Sequence, residues 1–194
     1  MPTESELVRL AMQRDAAAFG QLYELHLDSI YRYIYYRVGN ATEAEDLTEQ
    51  VFLKAWEHMA AYDERGLPFS AWLYRVARNA VIDYHRTRKP TEDLSEELVD
   101  KRGDPQETVE LRLEMAEVTA ALRTLPPEQQ EIIVLRFIQG CSHAQAAAII
   151  GKTEGALRAL QYRALAALHQ ALGREGRAGA SMRQPTATTT AQKP

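Results

Sequence analysis

A chain of 194 residues that is 45% hydrophobic and 26% charged has a globular composition, with room for one medium domain or two small ones. Its single cysteine, Cys141, excludes an internal disulfide and fits a reducing compartment, and no run reaches the roughly 18 consecutive apolar residues of a membrane helix. The net charge of −4 argues against nucleic-acid binding only as an average, because the charge is segregated. Acids gather at Glu92, Asp93, Glu96, Glu97, Asp100, Asp104 and Glu107, relieved by Lys101 and Arg102. Arg75, Arg78, Arg86, Arg88 and Lys89 sit together just upstream. The first ten residues carry Glu4, Glu6 and Arg9 in place of an apolar core, so no ordinary signal peptide and a cytoplasmic protein are expected.

Taken in chain order, the segments read at helical period, and none sustains period-two alternation. Asp15 caps a long predicted helix with apolar positions Phe19, Leu22, Tyr23, Leu27, Ile30, Ile34 and Val38, and Gly39 stops it. Thr42 with Glu45 reads as a capping box for a second helix running to about Ala60. On it Leu47, Val51 and Ala55 face the core, while Phe52 and Trp56 lie on another side near Asp46 and Gln50. A large aromatic pair on a second face suggests a protein-docking surface. A helix buried on two sides within its own domain is the competing reading.

After a loop from Asp63 to Pro68, a third helix places Phe69, Trp72, Leu73, Val76, Ala80 and Tyr84 on one face, and Pro90 ends it. Opposite lie Arg75, Arg78, Asn79, Ile82 and Arg86. Tyr62, Phe69, Trp72 and Tyr74 cluster near its start. Aromatics beside arginines suit single-stranded DNA, whose bases stack on rings while cations hold the backbone. A solvated basic face over a core of Trp72 and Phe69 is the plainer reading, and at Trp72 core and base contact stay open.

From Pro90 to about Gly103 the chain is acidic and poor in apolar residues, and reads as a linker. Asp104 with Glu107, and Pro105 between them, restart helix to about Arg123, where Leu125-Pro126-Pro127 breaks it. Another helix carries Ile132, Ile133, Leu135, Arg136 and Phe137. Ser142 with Gln145 begins a short helix that ends at Gly151, and Thr153 caps the last, which reaches about Leu172. The Gly, Arg, Ala, Thr and Gln tail beyond Gly173 is expected to be disordered.

The short helix, tight turn and following helix have the proportions of a helix-turn-helix, with Ala147 at the close approach and Ala146, Ile150, Leu157 and Leu160 filling the small core. A plain helical hairpin competes until the outer face is considered. There Arg158, Tyr162 and Arg163 suit base edges and phosphates of a major groove, and the amides at Thr153 suit a phosphate. The histidines His26, His58, His85, His143 and His169 have no zinc spacing, and no glycine-rich phosphate loop or nucleophile elbow occurs. Neither a metal, a cofactor nor a catalytic residue is expected.

Three runs together resemble the sigma factor family, in its small extracytoplasmic-function branch. They are Ala44 to Trp56, Phe69 to Asn79, and Leu125-Pro126-Pro127-Glu128-Gln129-Gln130. The resemblance implies an all-α fold of two small helical domains: region 2 at 1–90, an acidic linker at 91–104, region 4 at 105–173 and a tail at 174–194. It implies an alternative sigma factor that binds core RNA polymerase through the β′ clamp and β flap, and promoter DNA both as duplex and as melted strand. An anti-sigma factor is the family's usual restraint. Asp46, Gln50, Phe52 and Trp56 would meet the clamp. Asp63 and Glu64 in the loop, then Phe69, Trp72, Arg75, Arg78, Asn79 and Arg86, would serve the minus-ten element. Arg136, Thr153, Arg158, Ala159, Tyr162 and Arg163 would serve the minus-thirty-five element. The last helix departs from the family pattern of Gly-Thr-Val, Lys or Arg, Ser-Arg: it reads Gly155-Ala156-Leu157-Arg158-Ala159-Leu160, without the two hydroxyls. An ordinary helix-turn-helix repressor or activator, acting on duplex DNA alone, is the rival reading, and a helical enzyme a poor third.

Overall fold

The computed structural model describes residues 2–63, 67–87 and 118–181, the last eight of these as backbone only. Glu64, Arg88, Lys89, the acidic linker, the helix start at Asp104 and the tail beyond 181 lie outside the described residues. Every described element is helical.

Thr3 and Glu6 form a capping box for α1 (Glu4–Met12). This helix has no counterpart in the expectations above, although its Thr-x-x-Glu signature is plain in the sequence. Asp15 accepts from the amides of Ala17 and Ala18 and starts α2 (Ala16–Val38), which ends on Gly39 at φ +73°. The cap of α3 (Ala41–His58) is Asn40, accepting from the Glu43 amide; the Thr42–Glu45 box is not the start, because Asn40 lies earlier and already satisfies the first turn. A 3₁₀ turn (Met59–Ala61) follows, then α4 (Phe69–Thr87).

The stripe that α4 buries is Phe69, Leu73, Ala77, Ala80 and Val81, joined by Ala71 and Tyr74. Trp72, Val76 and Tyr84, expected on the core face, are only partly buried. Small alanines at the inner positions let α4 approach α2 and α3 closely, and this pushes the larger side chains to the rim.

In the second half, residues 118–123 are helical (α5) and α6 spans Pro127–Ile133. A π-turn (Val134–Ile138) continues α6, and Gly140 takes a positive φ of 66°. The Ser142–Gln145 capping box opens α7 (His143–Ile150), Gly151 closes it at φ +77°, and Thr153 receives the Ala156 amide at the start of α8 (Glu154–Ser181). The backbone of α8 stays helical past Leu172, where the apolar spacing stops. Ala146, Ala147, Ile150, Leu157 and Leu160 are buried between α7 and α8, as the helix-turn-helix spacing requires.

The two halves are not separate beads. Buried side chains of α2, α3 and α4 run without interruption into those of α6, the π-turn and α7, and α7 lies against α4.

Candidate nucleic-acid interface

On α4, Arg75, Asn79, Ile82 and Arg86 recur at steps of three and four and are exposed, so the helix does present a basic stripe. Arg75 makes no ion pair among the described residues, while Arg86 pairs with Asp83 at 3.1 Å on the surface. The aromatic cluster at the head of this helix is built largely inward. Phe69 is buried edge-on to Tyr62, and half-buried Trp72 leans on both, with ring centroids at 5.1 and 5.6 Å. Phe69 is therefore a core residue that holds the loop, with no face to offer a base. Trp72 keeps an open side. Asp63 is exposed at the start of the loop.

Trp72, Arg75, Val76, Arg78 and Asn79 form one wall of a cleft of about 330 Å³. The other wall belongs to the helix-turn-helix: Ile149, Ile150 and Gly151. Beside the cleft lies a buried polar knot. Glu131 of α6, 2% exposed at its side chain, is ion-paired with Arg37 of α2 at 3.2 Å and with Arg78 of α4 at 3.0 Å. The Tyr33 hydroxyl donates to the same carboxylate at 2.8 Å and receives Arg37 at 2.9 Å. Burial holds the Tyr33 phenol well above its ordinary value, so it remains a donor. Gln130 donates to the Tyr36 carbonyl at 2.8 Å, and Tyr74 donates to Gln139 at 3.0 Å. Burial likewise pushes the Tyr74 phenol up to about 12.

Sequence reasoning missed this knot. A signal was present: Arg37 falls four residues after Tyr33, inside the apolar period of α2, where a solvated arginine does not belong.

The two aromatics of α3 also turn inward. Phe52 is buried edge-on to Tyr23 at 4.7 Å. Trp56 is half-buried against Phe19 at 5.0 Å, with the Arg14 guanidinium 5.4 Å from its ring. Arg14 also donates to the Trp56 and Glu57 carbonyls, closing the end of α3. The second face of α3 is thus packed on α2 and not offered as an aromatic surface. Asp46, Gln50 and Leu53 remain exposed, Leu53 at 59%.

On α8, Arg158, Ala159, Tyr162 and Arg163 are all exposed, Tyr162 at 78%. Among the described residues Arg158 is held only by Glu154 of its own helix at 3.6 Å, and Arg163 donates weakly to the Ala159 carbonyl at 3.4 Å. Thr153 is exposed at the helix start. Arg136 does something different. It donates to the Cys141 carbonyl and, at 3.3 Å, to Gln161, and so staples the π-turn to α8. Desolvation raises the buried Cys141 thiol, which favours the inert protonated form. No group of metal-ligating side chains, and no helix long and apolar enough to cross a membrane, occurs among the described residues.

The family model of sigma-70 region 2 matches residues 22–91, and that of sigma-70 region 4 matches residues 115–168. The extracytoplasmic-function sigma factor BldN of Streptomyces coelicolor is 42% identical over 89% of this chain and 67% of its own length. The chain belongs to the extracytoplasmic-function sigma factors. SigL of Mycobacterium tuberculosis, in the same family, is 30% identical over 84% of this chain and 93% of its own. Among solved structures, CnrH in complex with the cytosolic domain of CnrY superposes with a TM-score of 0.69 at 28% identity, covering 87% of this chain and 96% of CnrH. The sigma factor RpoE from Bartonella quintana, bound to the anti-sigma factor NepR, gives a TM-score of 0.65 at 26% identity, over 80% of this chain and 96% of RpoE. This sigma factor is therefore an alternative sigma factor, a transcription initiation factor and not an enzyme, and its partners are RNA polymerase and promoter DNA.

Proposed function

We propose that the two basic helices divide the promoter between them. The stripe Arg75, Asn79 and Arg86 on α4, with Arg78, Trp72 and the loop bearing Asp63 and Glu64, receives the melted strand of the minus-ten element. Cations hold its phosphates and Trp72 stacks on a base, while flipping one base into the loop costs a few kcal/mol of unstacking. Arg158, Ala159, Tyr162 and Arg163 of α8 read the duplex minus-thirty-five element, with the Thr153 amides on a phosphate. Exposed Ala159 offers a methyl where the family pattern has a serine, which suits a thymine methyl better than a hydrogen-bonding edge.

In the same reading Asp46, Gln50 and Leu53 dock on the β′ clamp, with region 4 on the β flap. Region 2 spans 1–90, the linker 91–104 and region 4 105–173. The linker's acids mimic nucleic acid along the path of the RNA. The protein works in the cytoplasm under an anti-sigma factor, as the Bartonella relative bound to NepR suggests.

The observation that carries this reading is the pair of exposed cationic faces on two different helices, one beside aromatics and one on the second helix of a helix-turn-helix. Reconstituted holoenzyme on a mapped promoter tests it. Arg75→Ala is expected to abolish permanganate-reactive thymines at the minus-ten element while the upstream footprint persists. Arg158→Ala is expected to weaken the upstream footprint alone. Identical defects from both variants would refute the division.

A further inference from the structure

We infer that Glu154 is a base-reading residue of α8, and that the base it selects is a cytosine. This deepens the reading of α8 as the helix that enters the major groove, and rests on it. Glu154, Arg158 and Tyr162 stand at successive steps of four along α8 and so form one row on a single face. All three are exposed, Glu154 at 51% and Arg158 at 68% of the side chain. The row runs for about 12 Å at the helical rise, roughly three base steps.

The flanks of the row are bare. Gly155, Ala156 and Ala159 are exposed, and none has a side chain that donates or accepts. A Cβ at Gly155 would meet open space, so nothing packed against it calls for glycine there. Glycine weakens a helix relative to alanine, and one place for it is where another molecule approaches the backbone closely. Arg163 turns back to the Ala159 carbonyl of its own helix. Hydrogen bonding at base edges under the first turns of α8 therefore falls to the row, and its first member is an acid.

An acid on a surface that faces phosphates is repelled by them unless a base edge offers it a donor. The major groove offers two, the N4 amine of cytosine and the N6 amine of adenine. Adenine sets its N7 acceptor beside the amine, where it repels the second carboxylate oxygen, whereas cytosine presents the amine alone. Guanine and thymine turn acceptors towards a carboxylate. Cytosine is the base that fits. The Glu154 carboxylate lies 3.6 Å from the Arg158 guanidinium, about one base step. With Arg158 on the O6 and N7 of a guanine, Glu154 thus falls on the next base pair. The plainer role of Glu154 is to stabilise α8, as an acid in the first turn with a cation four residues on. That role shows in thermal stability and is blind to base sequence.

The test uses reconstituted holoenzyme and a mapped promoter whose upstream element is randomised. Sequencing bound and unbound fragments gives the relative affinity for each base at each position, for the wild type, Glu154→Ala, Glu154→Gln and Arg158→Ala. The wild type is expected to prefer cytosine, on one strand or the other, at one position by about five- to tenfold, the lower end of what a good base contact discriminates. Glu154→Ala should erase that preference and keep the choices at other positions. Glu154→Gln should move it to adenine, because an amide accepts from N6 and donates to N7. Both variants lose the same charge, so a role in helix stability alone would lower their melting temperatures alike and leave base choice as in the wild type. That result would overturn the assignment, as would a wild type with no cytosine preference, or a loss of affinity equal at every sequence. Should Arg158→Ala alone change the upstream preference, Glu154 is excluded while α8 still reads the element. Should no variant change it, neither Glu154 nor α8 reads the element.

Discussion

The two cationic helices of this sigma factor carry similar side chains in opposite circumstances. Arg78 of α4 is 23% exposed, bound to a buried carboxylate from the other half and roofed by the helix-turn-helix. Arg158 of α8 is 68% exposed and, among the described residues, meets only a glutamate one turn away on its own helix. A surface pair of that kind is worth a few tenths of a kcal/mol, and DNA displaces it readily. The interdomain pair must be pulled apart together with the surfaces around it. A basic stripe in a sequence thus says which helix is made for nucleic acid, but not whether it is available. Availability is set by what the rest of the chain places upon it.

The largest expected effects come from the cores that hold each helix in place. Leu22→Ala in region 2 and Leu157→Ala in region 4 each remove a fully buried side chain and should cost about 2–5 kcal/mol in denaturant unfolding. If the halves are coupled through Glu131, each variant also shifts the unfolding of the other half. Independent transitions would break the comparison at its root.

A smaller pair of changes sharpens it. Arg158→Ala should weaken the upstream element by about 1–3 kcal/mol in promoter binding and leave thermal stability untouched. Arg78→Ala should alter both quantities, because it also strips Glu131 of one of its cations. A stability unchanged by Arg78→Ala would mean that the buried pair contributes nothing to the fold.

Within region 4, Ser142→Ala removes the N-cap of α7, and about 1 kcal/mol of stability should go with it in a thermal melt. The weakest effect is one of pH. Burial and then the nearby Arg37 hold His85, which contacts the Arg37 carbonyl at 3.2 Å, below the ordinary imidazole value of 6.5. The unfolded chain therefore binds a proton more readily than the folded one. Stability contributed by neutral His85 is present above 6.5 and declines as the pH falls through that value towards the lower folded one. His85→Gln should flatten this part of the stability–pH curve, and an identical slope would exclude His85 as its source.

Much of this was legible in the sequence wherever the governing interactions are local. The Asp15 cap, the Gly39 stop, the Ser142–Gln145 box and the Gly151 turn each involve residues within one turn of one another, and each stands where the sequence puts it. The exposed face of α8 followed from the same short-range geometry. The inward turn of Phe52 and Phe69 was less legible, since helical period alone does not say which of two apolar faces meets a neighbour. Asn40 displaced the expected Thr42 cap because both satisfy the local rule and only one begins the helix. The Glu131 knot was not legible as a contact: Tyr33 and Glu131 are 98 residues apart, and their pairing depends on how two helical units meet. What the sequence offered was the oddity of Arg37, a charge at a core position of α2.

The most direct test of the account is run-off transcription from fragmented genomic DNA, using purified core polymerase with and without this protein. The account predicts discrete new start sites, each preceded by the same two promoter elements, that vanish when Arg75 and Arg158 are both replaced by alanine. No new start sites with an active core enzyme, together with tight duplex binding by the protein alone, would contradict it.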